Sequence, residues 1–164
     1  MSLLEMMAVV FMVTIMVTMT MPLLQEQIAI REINTIARRF TAHAHFARGQ
    51  AIHLGQSTRI MPRLQDSWDQ GWVVATKDKV WLTQGSIEPV FFRGGGRHFV
   101  DPHSGKSGIG FNAAGAAKTA QGGFVANRLI LRHRRSDNLE RQLILSSGGR
   151  WRICDPARDV KNCH

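Results

Sequence analysis

Arg150 and Arg152 stand two residues apart in the segment GGRWRICDPARDVKNC near the C-terminus, with Trp151 between them. In an extended chain alternate side chains share a face, so the two guanidinium groups point together while Trp151 and Ile153 point oppositely. Their separation, roughly 6.6 Å at 3.3 Å per residue, lets each meet a neighbouring phosphate through paired hydrogen bonds. Gly148 and Gly149 let the chain turn just before them. Arg158 and Lys161 extend the cationic strip, and Asp155 and Asp159 partly offset it. Trp151 could stack on a base, but its parity favours anchoring the strand to a core. A second cluster, Arg132, His133, Arg134 and Arg135, falls at the expected tip of a hairpin, where it can add phosphate contacts. A solvated charged face, the commoner fate of such runs, is the competing reading of these same residues.

Cys154 and Cys163 flank the last of these cations. With no CxxC and no histidine at zinc-finger spacing, a disulfide closing a small terminal loop is the stronger reading and metal binding the weaker. A disulfide requires an oxidising compartment such as the periplasm or the cell exterior. Closing that loop would also restrict the cations before binding, which lowers the ordering cost of a complex.

Other candidates for chemistry fall away. HSGKSG, His103–Gly108, has the look of a phosphate-binding loop, but Val100 stands where its first glycine belongs and no strand feeds a helix there. It reads as a loop. His43 and His45 are two apart on a helical stretch and face different ways, and His98 and His103 have no convergent carboxylate. No Ser/His/Asp set and no paired carboxylates emerge, so neither an enzyme, a cofactor nor a metal is expected.

The elements that must hold the arginines begin with an unusual N-terminus. From Met1 to Leu24 the only ionisable side chain is Glu5, so residues 25–164 carry all 21 Lys and Arg against 11 of the 12 Asp and Glu, a net near +10. So basic a region attracts polyanions: nucleic acid, anionic lipid or acidic polysaccharide. Leu3 to Met21 would span about 28 Å as a helix, close to one bilayer hydrocarbon core. It has no basic start and no small-residue cleavage site, and is expected to remain as an anchor. A carboxylate in lipid costs roughly 2.5–3.5 kcal/mol, so Glu5 either reaches the headgroups or pairs with a neighbouring chain's α-amino group.

Pro22 predicts a kink, after which the helical period resumes: Ala29, Ile33, Ile36, Phe40, Ala44, Ala47 and Ala51 line one face. Gly55 is the expected stop. Beyond it, short β-type runs alternate with glycine-rich turns: Thr58–Met61, Gly71–Ala75, Lys79–Thr83, Pro89–Phe92, Gly108–Asn112, Phe124–His133 and Gln142–Ser146. Trp68, Trp72 and Trp81 read as core and strand residues. The expected fold is α+β: a long N-terminal helix packed on an antiparallel β-sheet domain. The divisions are 1–24 (transmembrane or filament core), 25–54 (amphipathic helix), 55–148 (β domain) and 149–164 (basic segment with its loop).

The stretch MSLLEMMAVVFMVTIMVTMTMP, with Glu5 and Pro22, resembles the mature N-terminus of type IV pilins and type II secretion pseudopilins. Most of these begin with Phe; Met1 here is either an alternative first residue, N-methylated as in that superfamily, or an initiator in place of a leader. FARGQAIHLGQSTRI, WDQGWVVATKD, SGIGFNAAG and LILSSGGRWRIC resemble successive segments of the GspH/FimT subfamily, so the likeness covers nearly the whole chain. Gly149-Arg150-Trp151-Arg152 is similar to the GRxR motif of FimT-type minor pilins, which bind DNA in natural transformation. The resemblance implies assembly through Met1, Glu5 and Pro22 with other pilin subunits. It also implies an inner-membrane position with the soluble domain in the periplasm, and later a place in a pilus or pseudopilus at the cell surface.

Three functions follow as expectations. The first is a minor pilin that binds extracellular double-stranded DNA through Gly149, Arg150, Arg152, Arg158, Lys161, Arg134 and Arg135, with little sequence dependence, in competence. The second is a structural pseudopilin of a type II secretion system, or an assembly-priming subunit, with no DNA role. The third is an anchored adhesin for acidic glycans.

Overall fold

A computed structural model describes residues 2–64, 67–93, 108–117, 127–146 and 148–163. Met1, the Gly94–Gly96 run, His98, most of the HSGKSG loop, Gly122–Gly123 and the start of the Phe124 run lie outside the described residues. The chain forms two compact units, Met1–Glu32 and Ile33–His164.

Helix α1 runs Leu3–Leu54 with Pro22 inside it. Its apolar N-terminal portion is exposed along its length, and it is long and apolar enough to cross a membrane. Thr14, Thr18 and Thr20 return their hydroxyls to helix carbonyls three or four residues back, so no hydroxyl there needs water. Gly55, at φ 64°, ends the helix where a side chain would be strained.

In the second unit the buried helix stripe is Ile33, Ala37, Phe40, Ala44, Ala47 and Ala51. Ala37 takes the fully buried place expected of Ile36, which is only half-buried. The alanines bring the helix close to the sheets, and Phe40 fills the space between. Its ring meets Trp68, Trp72, Phe92 and Trp151 edge-on, with centroids 5.0–5.6 Å away. One helical side chain thus gathers rings from three strands.

Those strands belong to two antiparallel sheets. The first orders β3 (Val80–Thr83), β2 (Ser67–Ala75), β1 (Thr58–Leu64) and β5 (Ile109–Phe111). The second orders β4 (Val90–Arg93), β6 (Asn127–His133), β7 (Ser136–Leu145) and β8 (Trp151–Cys154). Strand β1 continues through Pro62 to Leu64, beyond the expected Met61, with Pro62 set opposite Trp72 of β2. Strand β7 begins at Ser136, six residues before the expected Gln142, because it pairs along most of β6. Trp81 is half-buried on the edge strand β3, with Lys79 Nζ 4.2 Å above its ring, whereas Trp68 and Trp72 are core.

Trp72 donates its indole N–H to His43 Nδ1 at 3.0 Å, which requires a neutral imidazole. Burial, aided by the Arg39 charge, lowers the His43 pKa from its ordinary 6.5. The unfolded chain therefore binds more protons near that pH. This contribution to stability is complete above about pH 6.5 and is lost as pH falls below it, levelling once His43 is protonated in the fold. Thermal midpoints compared at pH 5 and pH 7.5 should show the loss, and His43→Asn, which keeps an acceptor but does not titrate, should reduce it.

Candidate nucleic-acid interface

The turn between β7 and β8 determines where the arginines point. Ser146 N–H donates to the Arg150 carbonyl at 2.9 Å and Gly149 N–H to the Ser146 carbonyl at 2.9 Å. Gly149 has φ 75°, and a Cβ on it would collide with the Gly115 carbonyl oxygen, which also accepts from Arg48 Nε on α1 at 2.8 Å. The glycine of GRxR is thus a steric requirement where two loops and the helix converge. Gly148 has open space around it.

Strand β8 pairs with β7 through Leu145↔Trp151, Ile144↔Arg152, Leu143↔Ile153 and Gln142↔Cys154. Leu143 and Leu145 are core residues, so Trp151 faces inward and is buried against Phe40. Trp151 is an anchor. Arg150 and Arg152 are both exposed and share the outer face. Ile153 has the inward parity yet keeps 40% of its surface, since β8 is the sheet edge.

Beyond β8 the chain turns through Asp155–Arg158 and a short helical turn, Val160–Cys163. Cys154 and Cys163 are joined, with Cα atoms 5.6 Å apart. Arg158 and Lys161 are exposed on this loop. Asp155, expected to offset the cationic strip, is shared: its carboxylate accepts from buried Arg141 Nη1 at 3.0 Å, and Arg158 Nε of the strip lies at 4.0 Å. Arg141 also donates to Asn34 Oδ1 on α1 at 2.8 Å and to the Glu140 carbonyl at 2.7 Å. Burial lowers its pKa and Asp155 counters this; a guanidinium has ample margin to remain charged. No pattern along the chain signals this bridge from helix to loop, because it depends on the register of β7 and β8.

The remaining candidates lie apart. Arg134 and Arg135 form the β6–β7 turn, at the opposite end of the hairpin from the β8 turn, roughly 20 Å away at 3.4 Å per residue. Arg134 is paired with Glu88 at 2.8 Å. Glu5 sits exposed in the first turn of α1, its N–H bonded to the Ser2 carbonyl. Among the described residues no cluster of His, Cys, Asp and Glu could hold a metal.

A long apolar N-terminal helix whose later turns pack on antiparallel sheets defines a type IV pilin-like subunit. Residues 37–149 match the family model described as "Type II transport protein GspH". The chain belongs to the GspH family of minor pilins and pseudopilins, structural subunits rather than enzymes that assemble with other pilins. Among solved structures it is similar to the type IV minor pilin FimU of Pseudomonas aeruginosa: TM-score 0.61, 13% identity, covering 78% of this chain and 92% of that one. It is also similar to the minor pseudopilin EpsH of the Vibrio cholerae type 2 secretion system: TM-score 0.51, 14% identity, covering 77% and 99%. At these identities the likeness is one of fold. No curated protein sequence matches the chain.

Proposed function

We propose that this subunit binds extracellular double-stranded DNA through its C-terminal GRxR segment and supports DNA uptake in natural transformation. The observation that carries the reading is the placing of Arg150 and Arg152 together on the exposed face of an edge strand anchored by buried Trp151. Arg158 and Lys161 stand nearby on a loop restrained by the disulfide. Phosphate contacts of this kind carry little base preference. Arg134 and Arg135 could touch the same duplex only as a second, distant contact. Glu5, with Met1 and Pro22, would serve assembly into a filament, a neighbour's amino group neutralising the carboxylate.

If about four phosphates are neutralised, log affinity should fall against log salt with a slope of roughly −3.6. Fluorescence polarisation with a duplex of arbitrary sequence, using the full-length chain in uncharged detergent, measures this. Arg150→Ala with Arg152→Ala should weaken binding by about two orders of magnitude at 0.1 M salt. A slope near zero, or unchanged binding by the double variant, rejects the reading.

The family's description and the EpsH likeness favour a second reading: a structural pseudopilin of a type II secretion system, with no DNA role. Absence of duplex binding, together with loss of secretion on deletion, would select it.

A further inference from the structure

The register of the second sheet carries the cationic surface well beyond the C-terminal segment. Counting outward from the core residues Leu129, Leu131, Leu143 and Leu145, the opposite face holds alternate residues of all four strands. One row across that face is Arg152, Ile144, Arg128. The next is Cys154, Gln142, Ile130, Arg93, and the third is Glu140, Arg132, Phe91. Arg93, Arg128 and Arg152 are exposed. The one acid in these rows, Glu140, is held by Arg132 at 2.9 Å, so it cancels a charge of its own row rather than one of the other three. Arg128 Nη1 lies 3.4 Å from Gln142 Oε1 of the neighbouring row.

We infer that the outer face of the β4-β6-β7-β8 sheet is a track for duplex phosphates, on which Arg128 and Arg93 continue the line begun by Arg150 and Arg152. The inference rests on the DNA reading given above and extends it from a terminal segment to a sheet face. Neighbouring strands lie about 4.8 Å apart, so Arg152 and Arg128 are separated by roughly 10 Å and Arg93 lies about 15 Å from Arg152. With one phosphate per strand every 3.4 Å of helix axis, that span covers about four base pairs. Isoleucines, not aromatic rings, stand between the arginines; Phe91 is half-buried, one row from Arg93 and two from Arg128 and Arg152, and Trp151 is buried on the other side. Stacking of unpaired bases needs exposed rings, so the face suits a duplex rather than a single strand.

Five forms of the full-length chain in uncharged detergent test this with one 30-base-pair duplex: wild type, Arg150→Ala/Arg152→Ala, Arg93→Ala/Arg128→Ala, Arg93→Lys/Arg128→Lys, and Arg63→Ala/Lys77→Ala. The last removes two exposed cations from the other sheet and its β2–β3 turn. Arg93→Ala/Arg128→Ala should weaken binding on the order of tenfold at 0.1 M salt and flatten the salt slope by about 1.8. Arg63→Ala/Lys77→Ala should stay within about twofold of wild type. Arg93→Lys/Arg128→Lys, which keeps charge and fold, should retain the slope. If Arg150→Ala/Arg152→Ala loses binding while Arg93→Ala/Arg128→Ala does not, the track falls and the C-terminal reading stands. Wild type that binds no duplex overturns both, and tighter binding of a single strand of equal length overturns the duplex assignment.

Discussion

Gly71→Ala is expected to destabilise the domain by about 4 kcal/mol or more, which corresponds to a fall in Tm of roughly 12 °C for a chain of this size. Gly71 lies within β2 at φ 93°, a conformation that L side chains rarely adopt. A Cβ there would overlap the carbonyl oxygens of Gln84 and Gly85, both backbone atoms that no rotamer change can move. To make room, the Gln84–Gly85 segment must retreat, and the Gln84 N–H would be drawn from the Trp72 carbonyl, which it meets at 2.8 Å. Trp72 is fully buried and holds both Phe40 and His43, so the displacement reaches the centre of the core. Near-UV circular dichroism during heating reports on these tryptophans. A shift below about 3 °C would show that the segment yields freely, and the steric account would be wrong.

Asp155→Ala should cost about 3 kcal/mol, the lower end of the range for breaking a buried ion pair, since Asp155 keeps 20% of its side-chain surface and Arg141 only 9%. Removing the carboxylate leaves the Arg141 guanidinium buried with two neutral acceptors, Asn34 Oδ1 and the Glu140 carbonyl. Its charge is then uncompensated. Replacing both partners, as Arg141→Met with Asp155→Leu, should recover most of the loss, because two apolar side chains carry no desolvation penalty. Thermal unfolding of the two single variants and the double variant decides it. Roughly additive losses would mean that the pair contributes little beyond its separate residues.

Where local pattern decides structure, the sequence was readable. The helix stripe and its Gly55 stop follow from period and backbone freedom, and Trp151 inside with Arg150 and Arg152 outside follows from strand parity. Where structure depends on which strands lie side by side, it was not. Asp155 reads as a charge within a basic run until β7 is set against β8, which places it opposite Arg141. Arg128 and Arg93 are unremarkable in sequence, 24 and 59 positions from Arg152, and become its neighbours only through two and three antiparallel ladders. Arg134 and Arg135 show the converse. Their run of charge stands out along the chain, yet it occupies the far end of the hairpin and faces Glu88.

The geometry of β8 has a mechanical corollary for the proposed grip. Four residue pairs, from Leu145↔Trp151 to Gln142↔Cys154, tie this strand to its neighbour along its whole length. A polymer hauled parallel to the strand axis would stress those rungs together, as in shear. A pull directed away from the sheet would strain them one after another, like a zipper, until it met the cystine at the far end. A subunit of this design would resist traction along one heading far better than along the other.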